Sequence, residues 1–381
     1  MTVKKTLLLT TCLVLILSGC TLKNDPPEEF TAAVEKIKRT YAADKRTAVF
    51  DIETQYRDGQ WQIKGETSSR QAYQEINSLA SQTFQSAELI NDFQMLPPAS
   101  FADTVYALVH VSVGNLRKQP KHAAEMVDQV LMGAELKLLK AESYWYLVQT
   151  DYDYLGWITR GTITRQTAAD IQNWRKGERF TWGANWGQVF EEPSETSQIV
   201  CDLVLNNVLK KRSDRGSWME IELPDGRSGY VRRNNLRPYR AVDNEVTPGR
   251  EAVLERAKTF MGIPYLWGGN STKGFDCSGF TGTVFKSEGY QLPRDANMQV
   301  LLGKEIIPEA DFSNILGGDL IFFGSPERIT HVGICLGGSY FIHCSDDVHI
   351  NSLDEKDALF NAYRKRTMRH IKRIIQEGEK P

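Results

Sequence analysis

The sequence predicts a multidomain chain with a small α+β unit at the N-terminus, two small all-β units in tandem, and an α+β domain at the C-terminus. The length of 381 residues exceeds that of one ordinary domain, so we expect several. A pattern of short alternating strands occurs twice, which indicates a repeated β unit. The final third of the chain changes to two helices followed by several strands, which is typical of a separate α+β domain.

The composition is that of an ordinary globular protein, with 41% hydrophobic and 25% charged residues. The formal net charge is −2, so no overall positive field favours nucleic acid. A basic stretch at residues 364–369 is interrupted by apolar residues, and we interpret it as a solvated face. We therefore expect no nucleic-acid partner.

The first 19 residues read as a processing signal rather than as part of the fold. Lys4 and Lys5 precede a largely apolar stretch that is short for a membrane span, and this stretch ends in LSGC at Cys20. LSGC resembles a bacterial lipobox, whose cysteine receives a diacylglyceryl group and becomes the mature N-terminus. The alternative is a plain secretory signal in which Cys20 is incidental. Residues 20–29 then form a solvated tether.

A lipid on Cys20 would hold the exported protein at a membrane surface, since two or more acyl chains anchor stably. Thr21 rather than an aspartate follows this cysteine, which favours the outer membrane of a Gram-negative host by the usual sorting rule. We expect a periplasm-facing or cell-surface location, and which membrane holds the anchor stays open.

Cysteine usage does not predict a disulfide framework. Six cysteines are present, of which Cys12 leaves with the signal and Cys20 is the expected lipid site. If one of the rest is a free catalytic thiol, at most one bridge can form among the others. The remaining cysteines are widely spaced, at Cys201, Cys277, Cys335 and Cys344.

Residues 30–100 read as a small α+β unit of order α-β-β-α-β. Residues 30–45 have the period of an amphipathic helix, and two alternating runs around Asp58-Gly59 indicate a hairpin. A second helical stretch follows Ser69, which is a plausible cap. The sequence does not predict what this unit does.

An internal repeat follows, because residues 129–158 align with residues 202–231 without a gap. Trp145 matches Trp218, and a Gly-aromatic-aliphatic triplet recurs at the same spacing. Each copy consists of short alternating strands joined by tight turns, which is the composition of a small β-barrel.

The repeat predicts two barrels in tandem, at residues 103–166 and 176–240. Their pattern resembles that of bacterial SH3-like domains. The alternative is two copies of an unrelated β-meander, which would also form compact β modules.

A polar linker at residues 241–248 precedes the C-terminal domain, for which we expect residues 249–377. One helical pattern begins at Gly249, and a second helix begins at or near Cys277. Several short strands and one late strand follow. Two helices before an antiparallel sheet predict an α+β domain of papain-like organisation.

Cys277 stands in the sequence KGFDCSGFT, at the predicted start of a helix. A thiol becomes a good nucleophile only when ionised, and a helix N-terminus and a nearby imidazolium both lower its pKa. Gly274 and Gly279 flank it and permit close backbone approach. The alternative is a small buried structural cysteine.

Two histidines are spaced to serve such a thiol. His331 opens one predicted strand and His343 lies in the next, and a tight glycine turn between the strands lets both lie on one face. The alternatives are two satisfied core histidines, or a zinc site completed by Cys277 and Cys344. This spacing matches no compact ligand pattern, so we expect no metal and no cofactor.

The same region carries a set of motifs: YLWGG at 265–269, FDCSGF at 275–280, Arg294-Asp295, GDLIFF at 318–323, His331-Val332-Gly333 and His343. These motifs resemble those of the NlpC-type cysteine peptidases of bacterial cell walls. With two SH3-like units in front, the chain is similar to the subgroup of γ-D-glutamyl-L-diamino acid endopeptidases.

The resemblance implies a cysteine peptidase that hydrolyses the bond between γ-D-glutamate and the diamino acid of peptidoglycan stem peptides. It implies a thioester acyl-enzyme and a preference for a free N-terminal L-alanine. Peptidoglycan-derived peptides are then the expected partners, and we expect a monomer. Whether the diamino acid is diaminopimelate or lysine stays open.

The resemblance also implies catalytic roles. Cys277 would be the nucleophile and His331 the general base, with His343 orienting and polarising His331. The backbone N–H of Cys277 and the hydroxyl of Tyr265 would stabilise the tetrahedral oxyanion.

For substrate binding, the resemblance implies that Asp276 meets the terminal amine, with Ser278 and Trp267 lining the same pocket. A carboxylate beside the thiol raises the thiol pKa, so it does not help ionise it. The alternative is a helix N-cap, and the two roles are compatible. In the first barrel, Glu125 and Tyr154 match the subgroup's alanine-recognising residues; the alternative is a surface glutamate and a packed tyrosine.

Two other functions stay open at the level of sequence. The SH3-like units would serve as a binding module if the last domain had lost its activity, although Cys277, His331 and His343 are all present. Another thiol acyl chemistry, such as amidase or acyl transfer, would share the acyl-enzyme, and only the amine pocket at Asp276 favours the peptidase.

Overall fold

The computed structural model describes residues 25–242, 244–245 and 247–376. The predicted signal and the lipid site at Cys20 lie outside the described residues. Within those ranges, none of the helices has both the length and the apolar character needed to cross a bilayer.

The N-terminal unit packs two helices on a three-stranded sheet, in the order that the sequence predicts. Its elements are α1 (Glu28–Tyr41), β1 (Phe50–Arg57), β2 (Gln60–Thr67), α2 (Arg70–Thr83) and β3 (Leu89–Met95). β1 and β2 are antiparallel, whereas β2 and β3 are parallel. The apolar faces of both helices cover one side of the sheet, so that Phe30, Ile63 and Ile76 are buried together.

The first β module is a seven-stranded antiparallel sheet. Its strands are β4 (Tyr106–Val109), β5 (Val113–Arg117), β6 (Met126–Leu131), β7 (Glu135–Glu142), β8 (Trp145–Gln149), β9 (Leu155–Thr159) and β10 (Ile163–Gln166). They are hydrogen-bonded in the order β10-β4-β7-β8-β9-β5-β6. Leu116, Leu138 and Val148 lie in its core, which the alternation of apolar residues along each strand places on one face.

A short helix, α3 (Ala168–Lys176), leads into the second β module, and Thr167 caps it through a reciprocal hydrogen bond with Asp170. The strands of this module are β11 (Arg179–Trp182), β12 (Trp186–Phe190), β13 (Ile199–Val204), β14 (Val208–Arg215), β15 (Trp218–Glu222), β16 (Ser228–Arg232) and β17 (Leu236–Pro238).

The two β modules have the same topology. The second sheet has the order β17-β11-β14-β15-β16-β12-β13, which is the order of the first sheet, strand for strand. Every strand of the second module begins 73 positions after its counterpart, as β4 at 106 and β11 at 179 illustrate. The ungapped repeat therefore extends over all seven strands, beyond the segment that the sequence alignment detects.

Within the described residues, the C-terminal domain combines four helices with a six-stranded antiparallel sheet. Phe280 and Phe285 of its central helix are fully buried with Phe322 of the sheet. Its elements are α4 (Arg250–Lys258), β18 (Asn270–Ser271), β19 (Gly274–Phe275), α5 (Cys277–Ser287), α6 (Ala296–Gln299), β20 (Lys304–Glu305), β21 (Leu320–Gly324), β22 (Ile329–Gly337), β23 (Tyr340–Cys344), β24 (Val348–Ser352), α7 (Ala362–Thr367) and β25 (Met368–Arg373). The six-stranded sheet has the order β20-β25-β21-β22-β23-β24.

Polar contacts join the first β module to the C-terminal domain beside the start of α5. The side-chain oxygen of Gln129 accepts hydrogen bonds from the backbone N–H of Asn270 and the hydroxyl of Ser271, both at 2.9 Å. The two β modules are joined in turn by the Asn207 amide, which donates to the Ser112 carbonyl at 2.9 Å. Buried, satisfied bonds of this kind fix the orientation of the domains around the start of α5.

Candidate active site

Cys277 is the first residue of α5, as the sequence predicts, and it is only 7% exposed. Asp276 caps this helix, because its carboxylate accepts the N–H of Gly279 at 2.7 Å. A Cβ on Gly279 would lie 1.9 Å from the carbonyl oxygen of Gly269, so only glycine lets the helix end approach the preceding loop so closely. The hydrogen bond from Gly279 to the Asp276 carboxylate confirms the alternative that Asp276 is a helix N-cap.

The thiol of Cys277 is neutral at rest. Burial raises its pKa to about 12, and the neighbouring charge of Asp276 acts in the same direction. The backbone N–H of Val332, which follows His331 on β22, lies near the sulfur and opposes this effect only in part. The thiol therefore needs a base to become a nucleophile.

His331 and His343 lie side by side on neighbouring strands, with 2.8 Å between Nε2 of His331 and Nδ1 of His343. The other nitrogen of His343 lies 3.0 Å from the side-chain oxygen of Asn351 on β24. An oxygen can only accept, so His343 Nε2 carries a proton and His343 Nδ1 accepts the proton of His331 Nε2. Nδ1 of His331 is then unprotonated, which is the form required of a general base.

Both imidazoles are neutral. Burial lowers the pKa of His331 well below its ordinary value, and the charge of Arg364 adds to this effect. Burial also lowers the pKa of His343 to about 3, although the Asn351 hydrogen bond opposes it. α5 packs against β22, but the described hydrogen bonds do not include one between the Cys277 thiol and His331. Such contacts often tighten only when substrate binds.

Asn351 has no predicted role, yet it sets the tautomers of both histidines. Its oxygen also accepts the side-chain N–H of Asn361 at 2.9 Å, and its own amide donates to the Ile350 carbonyl at 3.1 Å. The sequence signal is weak, because Asn351 lies in a strand that also contains the polar residues His349 and Ser352. Asn351 reaches His343 only because β24 pairs with β23, and local periodicity does not reveal this pairing.

Tyr265 lies on the loop before α5, where its backbone N–H donates to the Asp346 carbonyl at 2.8 Å. Its hydroxyl is close enough to Cys277 for the Cys277 thiol to contribute to the raised pKa of Tyr265. Burial contributes most to the raised pKa of Tyr265, so its hydroxyl remains a proton donor at neutral pH. This placement suits a donor to an oxyanion that develops beside the thiol.

Asp276 is buried and already bound. Its two oxygens accept hydrogen bonds from the backbone of Gly279 and Gly268, from the Ser278 hydroxyl at 3.1 Å, and from both terminal nitrogens of Arg294 at 3.1 and 2.6 Å. These bonds leave the carboxylate little capacity for another ligand. Ser278 also accepts from Arg294 at 3.0 Å, so it belongs to the same buried network.

Arg294 connects this carboxylate to the first β module. Its Nε donates to Asp128 on β6, and the side chains of Arg294 and Asp128 are both essentially inaccessible to solvent. The hydroxyl of Tyr152 donates to the other oxygen of Asp128 at 2.5 Å. One buried guanidinium thus holds two buried carboxylates from different domains. Asp128 has no predicted role, and its signal is a charge at an inward position of a strand.

Glu125 meets Trp267 across the same domain boundary. The indole Nε1 of Trp267 donates to one oxygen of Glu125 at 3.2 Å, and the ammonium of Lys118 lies 2.9 Å from the other. The Lys118 bond holds the pKa of Glu125 below its ordinary value, so Glu125 is ionised at neutral pH. Trp267 is 62% exposed and Glu125 is partly exposed, so this pair is open to solvent where the first β module meets the C-terminal domain.

Tyr154 contacts Asp295 rather than Asp276. Its hydroxyl donates to Asp295 at 3.1 Å, and the rest of the side chain is buried. The same carboxylate oxygen accepts the guanidinium of Arg46, from the N-terminal unit, at 2.6 Å. Asp295 follows Arg294 directly in one of the sequence motifs, but sequence reasoning alone gives it no role.

The other thiols take no part in this arrangement. Cys201, Cys335 and Cys344 are all free, and the Cys344 sulfur donates to the Phe275 carbonyl at 3.2 Å. Across the described ranges, no three His, Cys, Asp or Glu side chains gather closely enough to hold a metal ion.

Comparison with known proteins defines the class. The NlpC/P60 family matches residues 262–371, and the bacterial SH3 domain family matches residues 112–164. A crystal structure of an NlpC/P60 family protein from Bacillus cereus superposes with a TM-score of 0.62 at 23% identity. That superposition covers 71% of this chain and 100% of the other, and it shows a shared fold.

Two curated relatives are similar over most of their length. The chain is 31% identical over 263 residues to dipeptidyl-peptidase 6 of Lysinibacillus sphaericus, which covers 67% of this chain and 94% of that protein. It is 29% identical over 235 residues to gamma-D-glutamyl-L-lysine dipeptidyl-peptidase of Bacillus cereus, with coverages of 58% and 68%. The chain belongs to the NlpC/P60 family.

The predicted family and the predicted class of enzyme are therefore confirmed. The protein is a cysteine peptidase of a family of peptidoglycan hydrolases, with an SH3 domain in its first β module and its catalytic domain at the C-terminus.

Proposed function

We propose that the protein hydrolyses the bond between γ-D-glutamate and the diamino acid of peptidoglycan stem peptides. The observation that carries this proposal is the junction of the first β module with the catalytic domain. There, Glu125 bonds the indole of Trp267 and Tyr154 bonds Asp295. Both carboxylates are partly exposed, so they can receive the charged N-terminus of a short peptide. The Bacillus cereus relative is named gamma-D-glutamyl-L-lysine dipeptidyl-peptidase, and this similarity supports the same bond specificity.

The chemistry follows from the neutral resting state. Nδ1 of His331 takes the proton of the Cys277 thiol, and the sulfur attacks the γ-carbonyl carbon. The backbone N–H of Cys277 and the hydroxyl of Tyr265 stabilise the oxyanion. The imidazolium then gives its proton to the leaving amine, and a thioester forms. A water molecule, deprotonated by His331, hydrolyses the thioester and restores the thiol.

We propose that the substrate's N-terminal ammonium binds between Glu125, Asp295 and Tyr154. In this proposal Asp276 does not bind the amine directly, because Arg294 and the helix cap occupy its oxygens. The carboxylates of Asp128 and Asp276 share the single guanidinium of Arg294. This cluster therefore carries an excess of negative charge, which favours a nearby cation.

We further propose that the second β module is also SH3-like, since its strand order and spacing match those of the first. It lacks the side chains that bind the catalytic domain in the first module. At the positions equivalent to Glu125, Asp128 and Tyr154 it carries Gln198, Cys201 and Arg227. Only the first module therefore contributes to the amine site.

Anchoring at Cys20 is part of the proposal as well. The sequence LSGC supports lipidation, and α1 begins at Glu28, so the tether between the lipid and the N-terminal unit would be short. Mass spectrometry of the N-terminal peptide from membranes would show a diacylglyceryl group; an unmodified thiol at Cys20 would contradict the anchor.

The specificity is tested by mass spectrometry of the products from defined peptides. The mature chain should split L-Ala-γ-D-Glu-diaminopimelate into L-Ala-γ-D-Glu and the free diamino acid, and Cys277→Ala should abolish the reaction. Cys201→Ala, which removes a thiol of the second β module, should leave it unchanged. A parallel lysine peptide reveals the preferred diamino acid. Acetylating the N-terminal amine should remove most activity, and unchanged turnover would contradict the amine site.

A further inference from the structure

The N-terminal unit reaches the proposed amine site through one residue. Arg46 lies between α1 and β1, and its guanidinium donates to Asp295 at 2.6 Å and to the side-chain oxygen of Asn297 at 2.9 Å. On its other side, Asp44 accepts two bonds from the Nε of Arg46, at 3.0 Å each, and a third from its Nη2 at 2.5 Å. The guanidinium is therefore held from both sides.

The backbone around Arg46 is fixed to the first β module. The Arg46 carbonyl accepts the N–H of Leu155 at 2.7 Å, and the Thr47 carbonyl accepts the side-chain amide of Gln149 at 2.8 Å. A further ion pair joins Lys140 to Glu66 of β2 at 2.8 Å. The loop is thus clamped at several points, so the position of the Arg46 side chain is well defined relative to the cleft.

One oxygen of Asp295 receives donors from two other parts of the molecule. Arg46 comes from the N-terminal unit and Tyr154 from the first β module, and both donate to the same atom. Because both bonds use one oxygen, the other oxygen of Asp295 accepts no hydrogen bond from the described residues and is available to a ligand. The side chain remains 26% exposed, so a ligand can reach it.

The charge of Arg46 does not cancel the charge of the site. Asp44 forms its own bidentate pair with Arg46, so this pair is close to neutral as a unit. Asp295 then keeps its attraction for a cation while its orientation is fixed by a charge-assisted hydrogen bond. Preorganised groups of this kind bind more tightly than groups that must first be ordered.

We propose that Arg46 is a positioning residue for recognition of the substrate's terminal ammonium, acting through Asp295. This inference rests on the proposed function, and it gives the N-terminal unit a part in substrate specificity. The rival interpretation is that Arg46 occupies the place of the ammonium and blocks the site.

The test uses the mature chain and two peptides, L-Ala-γ-D-Glu-diaminopimelate and its N-acetyl form. Arg46→Ala should raise KM for the free-amine peptide about tenfold, the scale of one charge-assisted hydrogen bond, and leave kcat within about twofold. It should also reduce the preference for the free amine. Arg46→Lys, which keeps the charge, should lie between wild type and Arg46→Ala. Arg57→Ala is the matched control, because Arg57 is an exposed arginine of the same unit.

Three results would overturn the inference. They are an unchanged KM and preference in Arg46→Ala, a fall in kcat for both peptides with an unchanged preference, and a gain of activity that reveals a blocking role. Failure of the proposed function is a separate result, because then wild type and Arg57→Ala would both leave the free-amine peptide intact.

Discussion

The thiol of Cys277 and the imidazole of His331 are both buried, and burial disfavours the charged form of each. The pKa of the thiol is raised while that of the imidazole is lowered, so a preformed thiolate–imidazolium pair is not the resting state. In the mechanism that we propose, the proton moves when substrate is bound, and the reaction depends on His331 being unprotonated. This dependence has a direct consequence for the pH profile.

We expect kcat/KM to rise with pH through the pKa of His331, because the protonated imidazole cannot accept the thiol proton. The midpoint of this acid limb should lie below 6.5, and Arg364→Gln should move it to higher pH by removing a cation that lowers the pKa of His331. Arg366→Gln, on the exposed side of the same helix, should not move it. A pH profile of the three proteins checks this, and a fixed midpoint in Arg364→Gln would contradict the electrostatic role of Arg364.

Asn351 offers a second test at this scale. Asn351→Ala removes the oxygen that fixes the tautomer of His343, and we expect kcat to fall about 10²-fold, the lower end of what a positioned base contributes. Asn351→Asp keeps an acceptor at the same place and should retain most of the activity. Steady-state kinetics on the free-amine peptide distinguish them, and equal losses in both variants would show that the oxygen does not set the tautomer.

At the scale of secondary-structure elements, α5 is pressed against the loop before it. Gly279 faces the carbonyl of Gly269, whereas Gly282, one turn further along, has open space where a Cβ would lie. The two glycines belong to the same helix but differ in what surrounds them. Replacing each glycine by alanine therefore distinguishes a steric clash, expected only at Gly279, from the general effect of alanine on helix stability.

Gly279→Ala should lower the free energy of unfolding by about 1–3 kcal/mol, because the methyl group forces the helix end away from the backbone of Gly269. It should also reduce activity, since Cys277 moves with the helix end. Gly282→Ala should instead be neutral or stabilising by up to about 1 kcal/mol. Denaturant unfolding measures both changes, and the steric account fails if the two variants are equally stable.

The elements themselves are largely predictable from the sequence. Alternation and turn residues indicate the repeat, and Asp58-Gly59, Ser69 and Cys277 mark the hairpin and helix starts that the structure contains. Asp128, Asp295 and Asn351 are different, because their roles depend on which strands are neighbours and on how domains dock. Local periodicity carries no information about such long-range contacts. The ion pair of Asp276 with Arg294 is therefore visible only in the three-dimensional structure.

At the scale of the whole molecule, buried ions determine how the first β module meets the catalytic domain. Asp128 and Arg294 are inaccessible to solvent, so removing one charge leaves the other without full compensation. The second β module contacts the catalytic domain differently, through a partly exposed pair of Asp202 with Lys273 at 2.7 Å. Two aspartates at two interfaces thus provide a matched comparison.

Asp128→Asn should lower the free energy of unfolding by about 3 kcal/mol, at the lower end for a broken buried pair because Asp276 still binds Arg294. Asp202→Asn should cost less than about 1 kcal/mol, as exposed ion pairs contribute little. Thermal and denaturant unfolding of both variants provide the measurement. Similar losses in the two would contradict the view that the buried pair holds the domains together.

The constant offset of 73 positions between the β modules makes matching segments of the two modules equal in length. Over residues 106–166 and 179–239, each strand of one module begins at the position that matches its counterpart in the other, so the spacing from strand to strand is the same in both. The two modules therefore differ in which residues occupy matching positions rather than in the spacing of their strands. Segments exchanged between the copies at any strand boundary would keep every loop length. The contacts of the first module with the catalytic domain therefore depend on the side chains at matching positions and not on the length of any loop.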